Sequence, residues 1–290
     1  MFMQAALEQG LIFGIMALGV LISYKILDFP DLSVDGSFPL GAAVGAAVLV
    51  GGHSPLLALL LAAAAGSLAG LVTGFIHTRF RITHLLSGII VMIALYSVNI
   101  RVLGGAANQQ LFQTPHLFSG SVPALPVLLL FVLGAKLGLD YLLRTQFGFA
   151  LRALGDNPQV VTNLGLNADT YKILGLMVSG ALIGLSGALM AQYQGYADVG
   201  MGTGMLVIGL AAIILGETVF SRLKGVGLTT VAVTGAVLYR LVVAGALKLG
   251  LPASDLKLIT AVLLLGILVL QQRPRKARVV HPREKEETPC

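Results

Sequence analysis

"ILDFPDLSVDGSFPLGAAVGA", residues 26–46, sets three aspartates and two prolines between two apolar runs. It is either an ordinary aqueous loop or irregular backbone within an apolar medium, which is tolerated only where it lines protein or a wet cavity. Pro30 and Pro39 interrupt helical continuity, because proline has no N–H to donate and crowds the preceding turn. Asp31 and Asp35 are four residues apart and share a face if the stretch is helical. They are placed to meet an ammonium group, to cap a helix beginning at Ser37, or to pair with Lys25. The apolar run from Phe38 to Gly51 is too short for a straight crossing. It is a half-helix, or a longer helix that borrows from the aspartate-rich stretch. That shortness favours the cavity, with Asp31, Ser33, Asp35 and Ser37 as its polar lining.

The rest of the chain supplies the apolar medium. Of 290 residues, 56% are hydrophobic and 11% charged, with mean hydropathy +0.90. A soluble domain carries about 25% charged residues. Apolar runs at 10–27, 38–51, 55–76, 85–103, 123–140, 170–191, 204–220, 226–247 and 255–271 approach the roughly 20 residues needed to cross a bilayer. The expectation is an all-α, polytopic membrane protein of about nine segments, one short or broken. The opening MFMQAALEQG lacks the basic region of a cleaved signal peptide, so the first run is expected to stay as a span.

Net charge +6 and a pI near 9.6 do not point to nucleic acid, because the basic residues lie between apolar runs. "HTRFRITH" (77–84), "RTQFGFALRALGDNPQ" (144–159), "SRLKG" (221–225) and "RPRKAR" (273–278) fall on one side if the segments alternate. Lys25 joins them if the first two segments cross fully. Basic residues favour the cytoplasm, which predicts an N-out/C-in topology; Arg101, Arg240, Lys248 and Lys257 are the exceptions. Residues 1–271 then form the membrane domain and 272–290 a disordered cytoplasmic tail. The lone cysteine, Cys290, excludes an internal disulfide. Gly10/Gly14, Gly41/Gly45, Gly66/Gly70/Gly74 and Gly180/Gly184 have the spacing that lets helix backbones approach closely in lipid. No strand pattern or repeat competes with helices.

Ionisable groups at membrane depth are costly and mark candidate sites. Arg240 either snorkels to the outer interface or pairs with Asp255 or a membrane carboxylate. Glu217 has Arg222 and Lys224 nearby to neutralise it, and Lys136 reaches inward. None of these makes the paired array of a proton relay. Tyr96, Asn99 and Gln192 fall at the outer ends of their segments, as belt residues or as contacts for a transported solute. His77 and His84 lack the companions of a metal site, and no metal is expected. A phosphate loop G-x-x-x-x-G-K-[ST] is absent, as is a nucleophile–base pair.

The longest internal connection, "YLLRTQFGFALRALGDNPQVVTNLGLNADTYK" (141–172), has internal structure. Gly155 reads as a break, Asp156 or Asn157 as a cap, and Pro158 as a first helical residue. "QVVTNL" gives two turns and Gly165 a stop; a long helix follows from Asn167 or Asp169. The expectation is one short amphipathic helix outside the bilayer.

With "SGALIGLSGALMAQYQGYADVGMGTGMLVIGLAAIILGE" downstream, this loop resembles the membrane permeases of ABC importers in the branched-chain amino acid and sugar permease superfamily. "PDLSVDGSFPLGAAVGA" and "VLYRLVVAGALKLGLPASDLKLITAVLLL" look like its tryptophan/tyrosine uptake subgroup, and the resemblance covers nearly the whole chain. It implies a multi-pass subunit of a prokaryotic cell membrane, importing a small solute such as an aromatic amino acid and not itself an enzyme. It implies that 153–165 is a coupling helix seated in a cytoplasmic ATPase, with Leu154, Gly155, Asp156, Asn157, Pro158, Val160, Val161, Leu164 and Gly165 as its contacts. ATP and magnesium would be held by that ATPase pair. A second permease copy and an extracytoplasmic substrate-binding protein would complete the assembly. An ion-coupled secondary transporter is the rival reading.

Overall fold

The computed structural model describes residues 2–112, 114–119, 123–220 and 225–248, and beyond them 258, 260–262, 265 and 266. Helix α1 (Phe2–Val20) runs on into a π-helical turn, Leu21–Ile26. After the break come α2 (Val34–Val50), α3 (Pro55–Phe80), α4 (His84–Val102) and α5 (Ala124–Arg144). Two short helices follow, α6 (Gln146–Asp156) and α7 (Pro158–Asn163), then α8 (Ala168–Gln194), α9 (Met205–Phe220) and α10 (Leu228–Lys248). Among the described residues, seven helices are long and apolar enough to span a bilayer, while α2, at 17 residues, is shorter. Eight of the nine expected segments therefore carry a helix. Only six residues of the ninth are described, all of them helical. Arg222, Lys224, Asp255 and the 272–290 tail lie outside the described residues.

The bundle is assembled around α8 through small residues. Helix α1 runs antiparallel to it, and the hydroxyls of Ser179 and Ser186 donate to the carbonyls of Gly19 and Ile12, both at 2.8 Å. Helix α3 is also antiparallel, with Gly66, Gly70 and Gly74 meeting Gly180, Leu176 and Ile173. Helix α2 runs parallel, setting Gly41 against Gly184 and Gly45 against Ala188. Gly10 and Gly14 of α1 meet Val237 and Val233 of α10. All four glycine sets expected from the sequence thus lie at helix contacts, where packing and not the hydrophobic effect holds helices together in lipid. Phe38, Ile12, Ile15 and Met16 fill the centre with almost no exposed surface.

One element was not expected. Asn108–Gln110 (β1) pairs antiparallel with Tyr196–Asp198 (β2), tying the segment after α4 to the end of α8. Three residues are too few to carry an alternating pattern, so the sequence gives no strand signal there.

The opening stretch is a broken helix. The π-turn ends where the Phe29 N–H bonds back to the Ser23 carbonyl (2.8 Å), and Asp28 takes a left-handed conformation, φ +50°. Helix α2 then begins at Val34, four residues before the apolar run, and takes in Asp35 and Ser37. The longer helix that borrows polar residues is the one formed, and neither aspartate caps a helix at Ser37.

Candidate functional site

Asp31 folds onto its own turn. Its Oδ1 accepts the Ser33 backbone N–H and its Oδ2 the Ser33 hydroxyl, both at 2.8 Å. Both residues are buried, and Ser37 is buried on the next turn. Lys25 pairs with neither aspartate. Its Nζ lies 3.0 Å from the Glu217 carboxylate of α9, which is the partner the sequence did not suggest for either residue.

Asp35 caps a different helix. Its two carboxylate oxygens accept the backbone N–H groups of Gly204 and Leu206, each at 2.9 Å. These are donors at the start of α9 that have no carbonyl partner one turn back, and the carboxylate also faces the positive end of the α9 dipole. Pro39 adds a second tie. It cannot donate to the Asp35 carbonyl, and Gly202 of the Val199–Gly202 turn packs directly against that oxygen, where any Cβ would overlap it. The α2 N-terminus and the entry to α9 are therefore fixed to one another at Asp35.

Beside this junction is a cavity of about 430 Å3. Helix α2 contributes Asp35, Gly36 and Pro39, α4 contributes Met92, Ile93, Tyr96, Ser97 and Asn99, and the turn before α9 contributes Val199, Gly200 and Thr203. The Tyr96 ring is exposed, whereas Asn99 is fully buried. The Asn99 amide Nδ2 donates to the Gly36 carbonyl at 3.2 Å, and its Oδ1 has no partner among the described residues. Of the seven residues anticipated for the pathway, Asp35, Tyr96 and Asn99 meet here. Asp31, Ser33, Ser37 and Gln192 do not line it; the Gln192 Oε1 instead accepts the Leu117 N–H at 3.1 Å. The missed walls come from "GYADVGMGTG" (195–204), whose glycine density was the available signal.

At the opposite end of the broken stretch lies the internal loop. The Asn157 side chain caps α7 by accepting the Gln159 N–H (3.0 Å), Pro158 starts it and Gly165 (φ +76°) ends the turn after it. Asn167 caps α8. Gly155 is not a break. It lies inside α6, a helix that the sequence reading did not separate, so the loop holds two helices and not one. Glycine costs about 1 kcal/mol relative to alanine within a helix. It is needed because the Ile26 carbonyl, at the end of the π-turn, occupies the place of a Cβ. Leu151, Leu154 and Val161 anchor the pair in the core, and Phe147 stacks on Tyr171 of α8 at 5.7 Å. Asp156 to Val160 and Thr162 to Gly165 are exposed, Leu164 at 70%.

Other charges within the bundle, buried or half-buried, are locally matched. The Arg240 guanidinium lies 4.8 Å from the Phe13 ring centre, and Tyr193 donates to Glu8 at 2.8 Å. Lys136 pairs with Asp140 one turn along, at 2.7 Å. No group of three potential metal ligands occurs among the described residues.

Residues 2–270 match the family described as "Branched-chain amino acid transport system / permease component". The chain belongs to that family. It is a multi-pass membrane permease. A tyrosine transport system permease protein of Clostridioides difficile is 47% identical over 264 residues, 91% of this chain and 89% of that one. An autoinducer 2 import system permease protein, LsrC, of Yersinia pseudotuberculosis is 30% identical over 254 residues, covering 85% and 70% of the two chains. A solved structure, an inward-facing metal-chelate type ABC transporter, aligns with TM-score 0.54 over 92% of this permease and 84% of that chain, at 18% identity. That likeness is one of fold alone.

Proposed function

We propose that this permease is the membrane-spanning subunit of an ATP-driven importer of amino acids, with tyrosine or a close aromatic relative as cargo. The observation that carries the reading is the continuity of one broken element. Its π-turn packs against α6 of the surface-exposed helix pair, and its far end forms the cavity wall and holds α9. A push on α6 and α7 reaches the cavity through backbone contacts, as ATP-driven alternation between outward- and inward-facing states requires. The exposed Val160 and Leu164 supply an apolar surface for a cytoplasmic ATPase, with Leu154, Gly155, Asp156, Asn157, Pro158, Val161 and Gly165 shaping the segment.

In this reading the N-terminus is outside, the α6–α7 end is cytoplasmic, and the host is a prokaryotic cell membrane. Two copies enclose the pathway, two ATPase subunits bind below with ATP and magnesium, and a substrate-binding protein delivers from outside. The cargo rests on the 47% identical tyrosine transport relative.

The test is reconstitution with the cognate ATPase and binding protein in liposomes, following labelled tyrosine. Uptake that needs ATP and is indifferent to ion gradients is the expected result. Uptake by the permease alone, driven by a sodium or proton gradient, would overturn the importer reading in favour of secondary transport.

A further inference from the structure

The 430 Å3 cavity is asymmetric in its chemistry. Its apolar side is Pro39, Met92 and Ile93, with the exposed Tyr96 ring beside them. Its polar side sets three acceptor groups beside the Ser97 hydroxyl. Asn99 brings a fully buried amide whose Nδ2 is committed to Gly36, leaving Oδ1 unpartnered among the described residues. The Thr203 hydroxyl donates to the Gly200 carbonyl (3.0 Å), so its oxygen also offers lone pairs. The Asp35 carboxylate has one N–H on each oxygen and keeps further acceptor sites. No lysine, arginine or histidine is in the lining among the described residues.

A buried acceptor without a donor costs free energy unless something supplies the proton, and pairing among the described residues leaves this one open. We infer that Asn99 is a specificity-determining residue, its Oδ1 accepting a hydrogen bond from the substrate's α-ammonium group beside Asp35. The apolar side and Tyr96 hold the cargo's side chain, and its carboxylate faces away from this polar edge. This rests on the amino-acid importer reading and assigns the group within the cargo that the site reads.

The experiment uses the purified permease–ATPase complex in detergent, without binding protein, so that only the membrane site is read. Saturation-transfer NMR ranks tyrosine, tyramine (no carboxylate) and 3-(4-hydroxyphenyl)propanoate (no ammonium) on wild type and on Asn99→Leu. Wild type is expected to bind the two ammonium compounds about ten- to a hundred-fold more tightly than the third, the range of a charge-assisted hydrogen bond. Asn99→Leu is expected to narrow that gap, the Asp35 carboxylate keeping its share of the ammonium contact, while still binding the propanoate. An equal ranking in wild type overturns the inference, and so does a gap that is undiminished in the variant. So does a complex that carries tyrosine with ATP in liposomes yet shows no tyrosine signal. If Asn99→Leu fails to fold for want of its bond to Gly36, the wild-type ranking decides alone. Absence of ATP-driven amino-acid uptake by wild type sinks the importer reading instead, and is read in the separate liposome assay.

Discussion

The backbone carbonyl of Ile26 lies against the Cα of Gly155, with no space between them for a side chain. One contact thereby joins the last turn of the first membrane helix to the exposed helix pair. Gly155→Ala removes a glycine from a helix, which alone favours folding by up to about 1 kcal/mol. Here the added methyl must displace backbone. The expected outcome is a permease that still binds its ATPase but loses most ATP-driven uptake. Uptake per turnover of ATP checks it, and an unchanged ratio would remove Gly155 from the coupling path.

Val160 and Leu164 are exposed on and just beyond α7, while Val161 is fully buried. Val160→Asp with Leu164→Asp is expected to abolish co-purification of the ATPase without changing the bundle's thermal stability, since exposed substitutions usually shift stability within about 0.5 kcal/mol. Val161→Asp, by contrast, should destabilise the loop itself. Retention of the ATPase by the exposed double variant would mean that another surface docks it.

Asp35 caps α9 from another helix, which the spacing to Asp31 did not reveal. Asp35→Ala leaves two backbone donors and a helix dipole unanswered, a loss of about 1–2 kcal/mol by comparison with ordinary caps. Asp35→Asn keeps one acceptor and should recover part of it. Unfolding temperatures in detergent should rank wild type above Asn and Asn above Ala. Equal values for all three would show that the cap contributes nothing to stability.

These residues mark how far the sequence could be read. Apolar run length located the helices, because bilayer thickness sets that length irrespective of partners. The small-residue spacing located their contacts, because only glycine and its neighbours in size permit them. Local caps were also readable: Asn157, Pro158 and Asn167 act within a turn of themselves. What escaped was long-range. Asp35 answers donors 169 and 171 residues away, Lys25 answers Glu217, and Gly155 was misread as a break because its reason lies at Ile26. The cavity was half legible for the same reason. Polar residues on α2 and α4 stood out, but the 199–203 wall becomes a wall only when α9 is brought to Asp35.

Lys25 and Glu217, with side chains 44% and 31% exposed, link the π-turn to α9 near the same end of the bundle as α6. A pair this exposed contributes at most about 1 kcal/mol, and salt weakens it. Its consequence should be conformational more than structural, since it joins the element that α6 touches to the helix that Asp35 holds. Glu217→Lys places two like charges together and is expected to lower uptake with little loss of expressed protein. Lys25→Glu combined with Glu217→Lys restores opposite charges and should recover uptake substantially, the recovery shrinking as ionic strength rises. If the double reversal is no better than the worse single variant, the two residues act independently and the pair has no part in the transport cycle.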